Sequence, residues 1–131
     1  NSTAGSNTAV GYVALGANTT GTQNVAVGGY ALDGNTTSSN CIAIGYSALG
    51  GANAANSNIG IGTNTLLVNS TGSSNAAIGV GALAANTTAS YNIAIGDEAL
   101  NDNTTGASNV AIGPYAMDIR DSCVRWKHDG K

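Results

Sequence analysis

Only a few residues in this chain could take part in proton transfer, nucleophilic attack or metal binding. The single histidine is His128, near the end of the chain, and the only adjacent pair of acids is Asp97-Glu98. No serine or acid recurs at a spacing that would serve that histidine, and no metal-ligand spacing is present. The sequence therefore predicts a protein that is not an enzyme and holds no cofactor or metal.

The elements that carry these residues are set by an internal repeat. One unit of seventeen residues recurs seven times between Asn7 and Met117, with the pattern N-x-A-[VI]-G-x-x-A-L-x-x-N-[TS]-T-G-x-x. Such a period predicts a solenoid in which each unit is one coil stacked on the next. We expect residues 1–117 to form the repeat region and residues 118–131 to form an irregular charged cap or a junction to a further domain. A half unit in phase at Asn1 indicates a cut through a longer array.

The segments x-A-[VI]-G are too short and too rich in β-branched residues to be helices, so they are predicted to be strands. Alternate side chains of a strand point to opposite faces. The Val and Ile columns would then lie on one face, and the Asn, Ala and Gly columns on the other. We therefore expect an all-β parallel solenoid of seven coils, with small side chains and stacked Asn amides in its interior. The Leu column would supply further core.

A continuous aliphatic stripe would remain on the outside of such a rod, which seven coils make about 34 Å long. Packing several rods around a common axis would bury the stripe, and a closed homotrimer is a natural solution. The alternative is that the aliphatic residues point into the coil and the Ala/Gly face lies outside.

Composition narrows the functional classes. Charged residues make up 8% of the chain, and Asp33 is the only one from Asn1 to Gly96. No basic patch is available to bind phosphate, so nucleic acid is not an expected partner. No apolar run reaches the length of a membrane span, so membrane insertion is not expected either.

The unit resembles the head repeats of YadA-like trimeric autotransporter adhesins, and the form N-T-A-V-G-Y-x-A-L…N-T-T-G at residues 7–21 is similar to repeats of bacteriophage tail fibres. The resemblance implies a left-handed parallel β-roll, three chains around one axis, and a role as a stalk or adhesive head. It places the protein outside the cell, on a virion or a cell surface. The adhesin unit is typically shorter than this one, and the difference lies in the N-T-T corner.

The tail carries a second resemblance. Ser122 to Asp129 is similar to the S-[SD]-x-R-x-K-x-[DN] entry into the intramolecular chaperone of endosialidase-type fibres. This resemblance implies that Ser122 lies at a self-cleavage junction, although Gly130 stands where an aliphatic residue is expected. The alternative is a plain charged cap that ends the stack.

The two cysteines are not expected to pair within one chain. Cys41 and Cys123 are roughly 20 Å apart along the stack, beyond the reach of a disulfide unless the tail folds back. Cys41 is interpreted as a small buried thiol, and Cys123 could pair between chains.

The N-[TS]-T corner allows two further hypotheses. It matches the acceptor pattern for N-glycosylation at Asn1, Asn18, Asn35, Asn69, Asn86 and Asn103. An N-glycosylated extracellular surface fibril is therefore one alternative function, and simple turn chemistry is the competing explanation. The aligned threonines, such as Thr20 and Thr37, suggest an ice-binding solenoid as the other alternative, which predicts a monomer with a flat exposed Thr face.

Tyrosines occupy variable corner positions and are the candidate contacts for a carbohydrate or a cell-surface receptor: Tyr12, Tyr30, Tyr46 and Tyr115. Corner packing is the alternative explanation for them. The sequence as a whole predicts a structural or adhesive segment of an extracellular or virion fibre that projects or displays a binding end.

Overall fold

The computed structural model describes residues 3–51 and 55–118, and within them the chain is an all-β solenoid with no helix. Seven three-residue strands form one parallel sheet: β1 (Thr8–Val10), β2 (Val25–Val27), β3 (Ile42–Ile44), β4 (Ile59–Ile61), β5 (Ala76–Ile78), β6 (Ile93–Ile95) and β7 (Val110–Ile112). Each strand pairs with the next at an offset of one repeat, so Val10 lies beside Val27 and Val27 beside Ile44. The predicted parallel solenoid is confirmed.

The interior is built from small residues and one Leu column. The middle residue of each strand from β2 to β7 points inward, and Ala26, Ala43 and Ala94 are fully buried. The larger buried side chains are Leu32, Leu49, Leu66 and Leu83. Since the Leu column fills the space opposite the alanines, no room remains for a Val or Ile column inside. The alternative in which the aliphatic stripe points inward is therefore wrong.

The coil closes tightly because three columns of residues adopt a left-handed backbone. The columns pass through Ser57, Asn64 and Leu66, whose φ angles are 60°, 58° and 49°. This conformation costs an L-residue about 1–2 kcal/mol. For Leu66 the cost is offset because burial of a Leu side chain contributes about 1.5–3 kcal/mol.

A glycine column follows the strands and allows neighbouring coils to approach closely. Gly62 has φ +130°, and a Cβ built there would lie 2.6 Å from the carbonyl oxygen of Gly79 in the next coil. A Cβ on Gly79 would lie 2.2 Å from the carbonyl oxygen of Gly96. The repeat needs glycine here for its backbone angle and for its missing side chain.

Asparagines in two columns form hydrogen bonds with buried polar groups of the backbone and with asparagines of the same column. In the first, Asn58 Oδ1 accepts from the backbone N–H of Asn75 at 2.9 Å, and Asn58 Nδ2 donates to the carbonyl of Gly72 at 2.8 Å. In the second, Asn86 Nδ2 donates to Asn69 Oδ1 at 3.1 Å. The predicted turn-to-turn bonding of the first column is confirmed. The second column forms a similar ladder, which satisfies polar groups that would be costly to bury alone.

The fourth coil carries a matched pair of exceptions to the repeat. Gly60 replaces the inward alanine of β4, and Thr65 replaces the alanine that precedes the Leu column. Thr65 is fully buried, and its hydroxyl donates to the carbonyl of Gly62 at 3.2 Å. A Cβ on Gly60 would lie only 2.8 Å from Thr65 Oγ1. The missing side chain of Gly60 thus provides the space that the larger Thr65 occupies.

Candidate interaction face

The outer residues of the seven strands form one aliphatic face along the rod. We call the following residues the aliphatic face: Val10, Val25, Val27, Ile42, Ile44, Ile59, Ile61, Ile78, Ile93, Ile95, Val110 and Ile112, with Thr8 and Ala76 in the same two columns. Each strand forms one row of the face, its two outer residues flank the middle one, and neither column contains a charged residue.

The face is accessible along the length of the chain. Ile44, Ile78 and Ile95 in the middle coils are 39%, 38% and 38% exposed, although the coils above and below cover their flanks. At strand spacing the seven rows span about 29 Å, and the two columns lie about 7 Å apart. What makes the strip a candidate association site is that it is contiguous, apolar and uncharged.

Three of the predicted contact tyrosines lie together in the first three coils. Tyr12 and Tyr30 meet edge to face with ring centres 5.4 Å apart, and Tyr30 meets Tyr46 in the same way at 5.6 Å. Tyr115 lies in the seventh coil, about half exposed, and no ring partner is present for it among the described residues. The sequence indicated four separate corner positions; the structure makes three of them one surface.

Four of the six candidate glycosylation sites lie inside the coil. Asn35, Asn69 and Asn86 are fully buried, and Asn18 is 4% exposed. Asn69 Nδ2, to which a sugar would be attached, donates to the carbonyl of Gly72 at 2.7 Å. A glycan on this atom would require the coil to open, so the geometry favours turn chemistry in the folded chain. Asn103 is half-buried in the seventh coil, and Asn1 lies outside the described residues.

The threonine corner does not present two free rows of hydroxyls. The first threonine of the pair turns its hydroxyl to the next coil: Thr19 Oγ1 donates to the carbonyl of Thr36 at 2.9 Å, and Thr87 Oγ1 to that of Thr104 at 3.1 Å. The second column, which includes Thr20 and Thr88, is exposed. This arrangement gives one exposed Thr column at a corner, where an ice-binding surface would need a broader flat array.

Cys41 takes the place of an asparagine in the first ladder. The thiol is fully buried, and its Sγ lies 3.3 Å from the carbonyl oxygen of Ala55. Burial raises the pKa of the Cys41 thiol, and backbone N–H groups of Asn58 and Ser57 oppose this only in part. The interpretation as a small buried thiol is confirmed. Cys123, which the sequence suggests could pair between chains, lies outside the described residues.

The remaining candidates for chemistry form no constellation in the described ranges. Asp97 is exposed and Glu98 half-buried at a corner of the sixth coil. In residues 3–51 and 55–118 no cluster of three or more His, Cys, Asp or Glu side chains could hold a metal ion. Ser122, the proposed cleavage position, and His128 are not among the described residues.

No helix in the described part of the chain has both the length and the apolar character needed to cross a membrane. Comparison of the chain with protein-family models, with curated proteins and with solved structures finds no match.

Proposed function

We propose that this chain is a segment of an extracellular fibre, of the virion tail-fibre or trimeric adhesin type, that projects or displays a binding end. The observation that carries the proposal is the aliphatic face. It lies outside a coil whose interior is already filled by alanine, leucine and hydrogen-bonded asparagine. A side-by-side contact with further copies of the chain would remove this face from water.

The geometry of the rod suits such a contact. All seven coils are in register, so the face follows the rod from Val10 to Ile112. Parallel copies related by rotation about one axis would bring equivalent rows together at the same height, and the assembly would close without leaving a free face. The number three comes from the resemblance of the repeat to YadA-like and tail-fibre repeats.

Burial of this face would stabilise the assembly by an amount proportional to its area, at about 25 cal/mol per Å² of apolar surface. The strip on each chain is on the order of 200 Å² when its length of about 29 Å and its width of about 7 Å are taken from strand geometry. This corresponds to about 5 kcal/mol per chain before the cost of association. Burial of the face would thus favour association of the copies through many weak, equivalent contacts.

Introducing positive charges into the aliphatic face tests the proposal. The variant Ile44→Lys/Ile78→Lys places two ammonium groups in the middle of the face, and Val68→Lys places one on a side chain that is 47% exposed elsewhere on the coil. Sedimentation equilibrium should give about three times 12.8 kDa for the wild type and for Val68→Lys. The double variant should sediment as one folded chain.

The circular dichroism spectrum of the double variant must match the wild type, because the face is proposed to hold chains together and not to fold each coil. A wild-type protein that sediments as a single chain at all concentrations would refute the assembly. Thermal hysteresis in such a monomer would instead support the ice-binding alternative.

A further inference from the structure

We propose that Tyr12, Tyr30 and Tyr46, together the tyrosine strip, form a binding site for a linear neutral saccharide that lies along the rod axis. The proposal goes beyond the fibre function, because it places a binding site within the first three coils. It does not depend on the number of chains in the assembly.

The strip is a run of three contacting aromatic rings, each nearly perpendicular to the next. Its rings belong to consecutive coils and contact each other edge to face, at interplanar angles of 76° and 75°. Tyr12 and Tyr46 are 72% and 56% exposed, and the half-buried Tyr30 lies between them. Aromatic rings that are held in place by their neighbours offer apolar contact area at low cost in side-chain entropy.

The backbone beneath the strip is rigid. The N–H of Tyr30 donates to the carbonyl of Tyr12 at 2.9 Å, and the N–H of Ser47 donates to the carbonyl of Gly29 at 3.0 Å. The ring of Tyr46 lies over Gly29, and its edge carbons would be in ordinary contact, at 3.6 and 3.8 Å, with a Cβ at that position. The rings therefore follow the regular rise of the coils and do not lie on a mobile loop.

The electrostatics of the strip favour an uncharged ligand. Asp33 is the only charged residue in the first three coils, and its carboxylate lies at the corner beside Gly50. All four lysines and arginines occur after residue 119. Among residues 3–51 and 55–118 an acidic polysaccharide would find no cation to replace its counterions, whereas a neutral sugar needs only ring faces and hydroxyl partners.

The shape of the strip favours an extended chain over a single sugar. The ring centres advance along the rod by one coil at a time, so successive sugar rings of a linear oligosaccharide could contact successive tyrosines. The phenolic hydroxyls supply donors and acceptors beside the apolar faces. A sugar ring likewise has apolar C–H groups on its face and hydroxyl groups around its edge, so it is complementary to the tyrosine strip.

Affinity electrophoresis in native gels tests the proposal, with hydroxyethyl cellulose as the neutral probe and hyaluronan as the acidic comparison. We expect the wild type to be retarded by hydroxyethyl cellulose and not by hyaluronan. The variant Tyr12→Ala/Tyr46→Ala should bind the neutral probe about tenfold or more weakly, which corresponds to about 1.4 kcal/mol. Tyr91→Ala/Tyr115→Ala removes two exposed tyrosines outside the strip and should bind as the wild type does.

A second variant separates binding from folding. Tyr12→Leu/Tyr46→Leu keeps apolar side chains over the coil but removes the flat rings, so it should stay folded and still lose retardation. Absence of retardation for the wild type, or equal losses in the strip and control variants, would overturn the proposal. A change in sedimentation mass without any change in retardation would assign the strip to contacts between chains instead.

Discussion

The pair formed by Gly60 and Thr65 allows the packing of the coil interior to be tested quantitatively. Gly60→Ala adds one methyl group at a point 2.8 Å from Thr65 Oγ1 and 3.2 Å from Leu49 Cγ. Both distances are shorter than ordinary van der Waals contact, and the neighbouring coils limit any shift of the backbone. Overpacking of this kind typically costs about 1–3 kcal/mol. We expect the single variant to lower the free energy of unfolding by about 2 kcal/mol.

Thr65→Ala removes a buried hydroxyl, with its hydrogen bond to Gly62, and also the buried γ-methyl group. The expected loss is about 2 kcal/mol. The double variant Gly60→Ala/Thr65→Ala recreates the combination of Ala43 and Ala48 in the preceding coil, where both residues are fully buried. It should be more stable than Gly60→Ala alone, with a coupling of about 1–2 kcal/mol between the two sites.

Denaturant unfolding followed by circular dichroism gives the four free energies of this cycle. A single substitution in the fifth coil provides a control. Ala77→Gly leaves a space that no larger neighbour fills, so it should only lower the free energy of unfolding. Additive effects of Gly60→Ala and Thr65→Ala, within about 0.5 kcal/mol, would refute the inference that the two substitutions compensate each other.

Three further predictions concern the glycine column and the buried thiol. Gly62→Ala should lower the free energy of unfolding by about 2–6 kcal/mol, through backbone strain and the clash with the next coil. Gly113→Ala should lower it by only about 1–3 kcal/mol, through strain alone, because no described atom lies within 4 Å of its Cβ position. Similar melting temperatures for the two variants would contradict this. Cys41→Asn should raise the free energy of unfolding by about 0.5–1.5 kcal/mol, because the carbonyl of Ala55 and the N–H of Asn58 are already placed to bond to an asparagine here. An unfolding midpoint at a lower urea concentration than that of the wild type would contradict this prediction. In a Cys123→Ser background, the burial and raised pKa of the Cys41 thiol should make its alkylation slow until the chain unfolds, and rapid labelling of the native protein would contradict this. The free energy of unfolding should fall as pH rises above the ordinary thiol pKa, because the thiol of the unfolded chain ionises first.

Much of the fold follows from the sequence because each coil repeats the same local choices. The period places every strand, and alternation along a strand assigns Ile44 to the outside and Ala43 to the inside, as the structure shows. The Leu and first Asn columns were also predicted in the interior. These features depend on side-chain volume and on strand geometry, both of which can be deduced from residue type and spacing.

The corners were harder to predict because left-handed residues break the alternation of faces. The N-x-[ST] pattern suggested exposed acceptors, but Asn35 and Asn69 are buried in the coil, where they bond to neighbouring turns. Leu66 has a left-handed φ that its residue type disfavours. Only the packing of the whole coil makes such a conformation favourable, so a local pattern does not reveal it.

The tyrosine strip and the Gly60–Thr65 pair were missed for a related reason. Tyr30 stands one position later in its unit than Tyr12 and Tyr46 do in theirs, so the three do not form a sequence column. Their rings meet because each side chain spans the distance between neighbouring coils. For Gly60, the break in the Ala column was visible in the sequence, and the simultaneous break at Thr65 was the signal that could have linked them.

Cross-linking through the aliphatic face tests the central claim most directly. In a Cys41→Ser/Cys123→Ser background, Ile78→Cys places one thiol in the middle of the face, and Val68→Cys places one on a different surface of the coil. If the faces meet around a common axis, mild oxidation should join Ile78→Cys chains into a covalent pair, with one unlinked chain remaining per assembly, because equivalent residues lie within disulfide reach. Val68→Cys should remain unlinked. Equal behaviour of the two variants, with no reducible product from Ile78→Cys, would contradict the account.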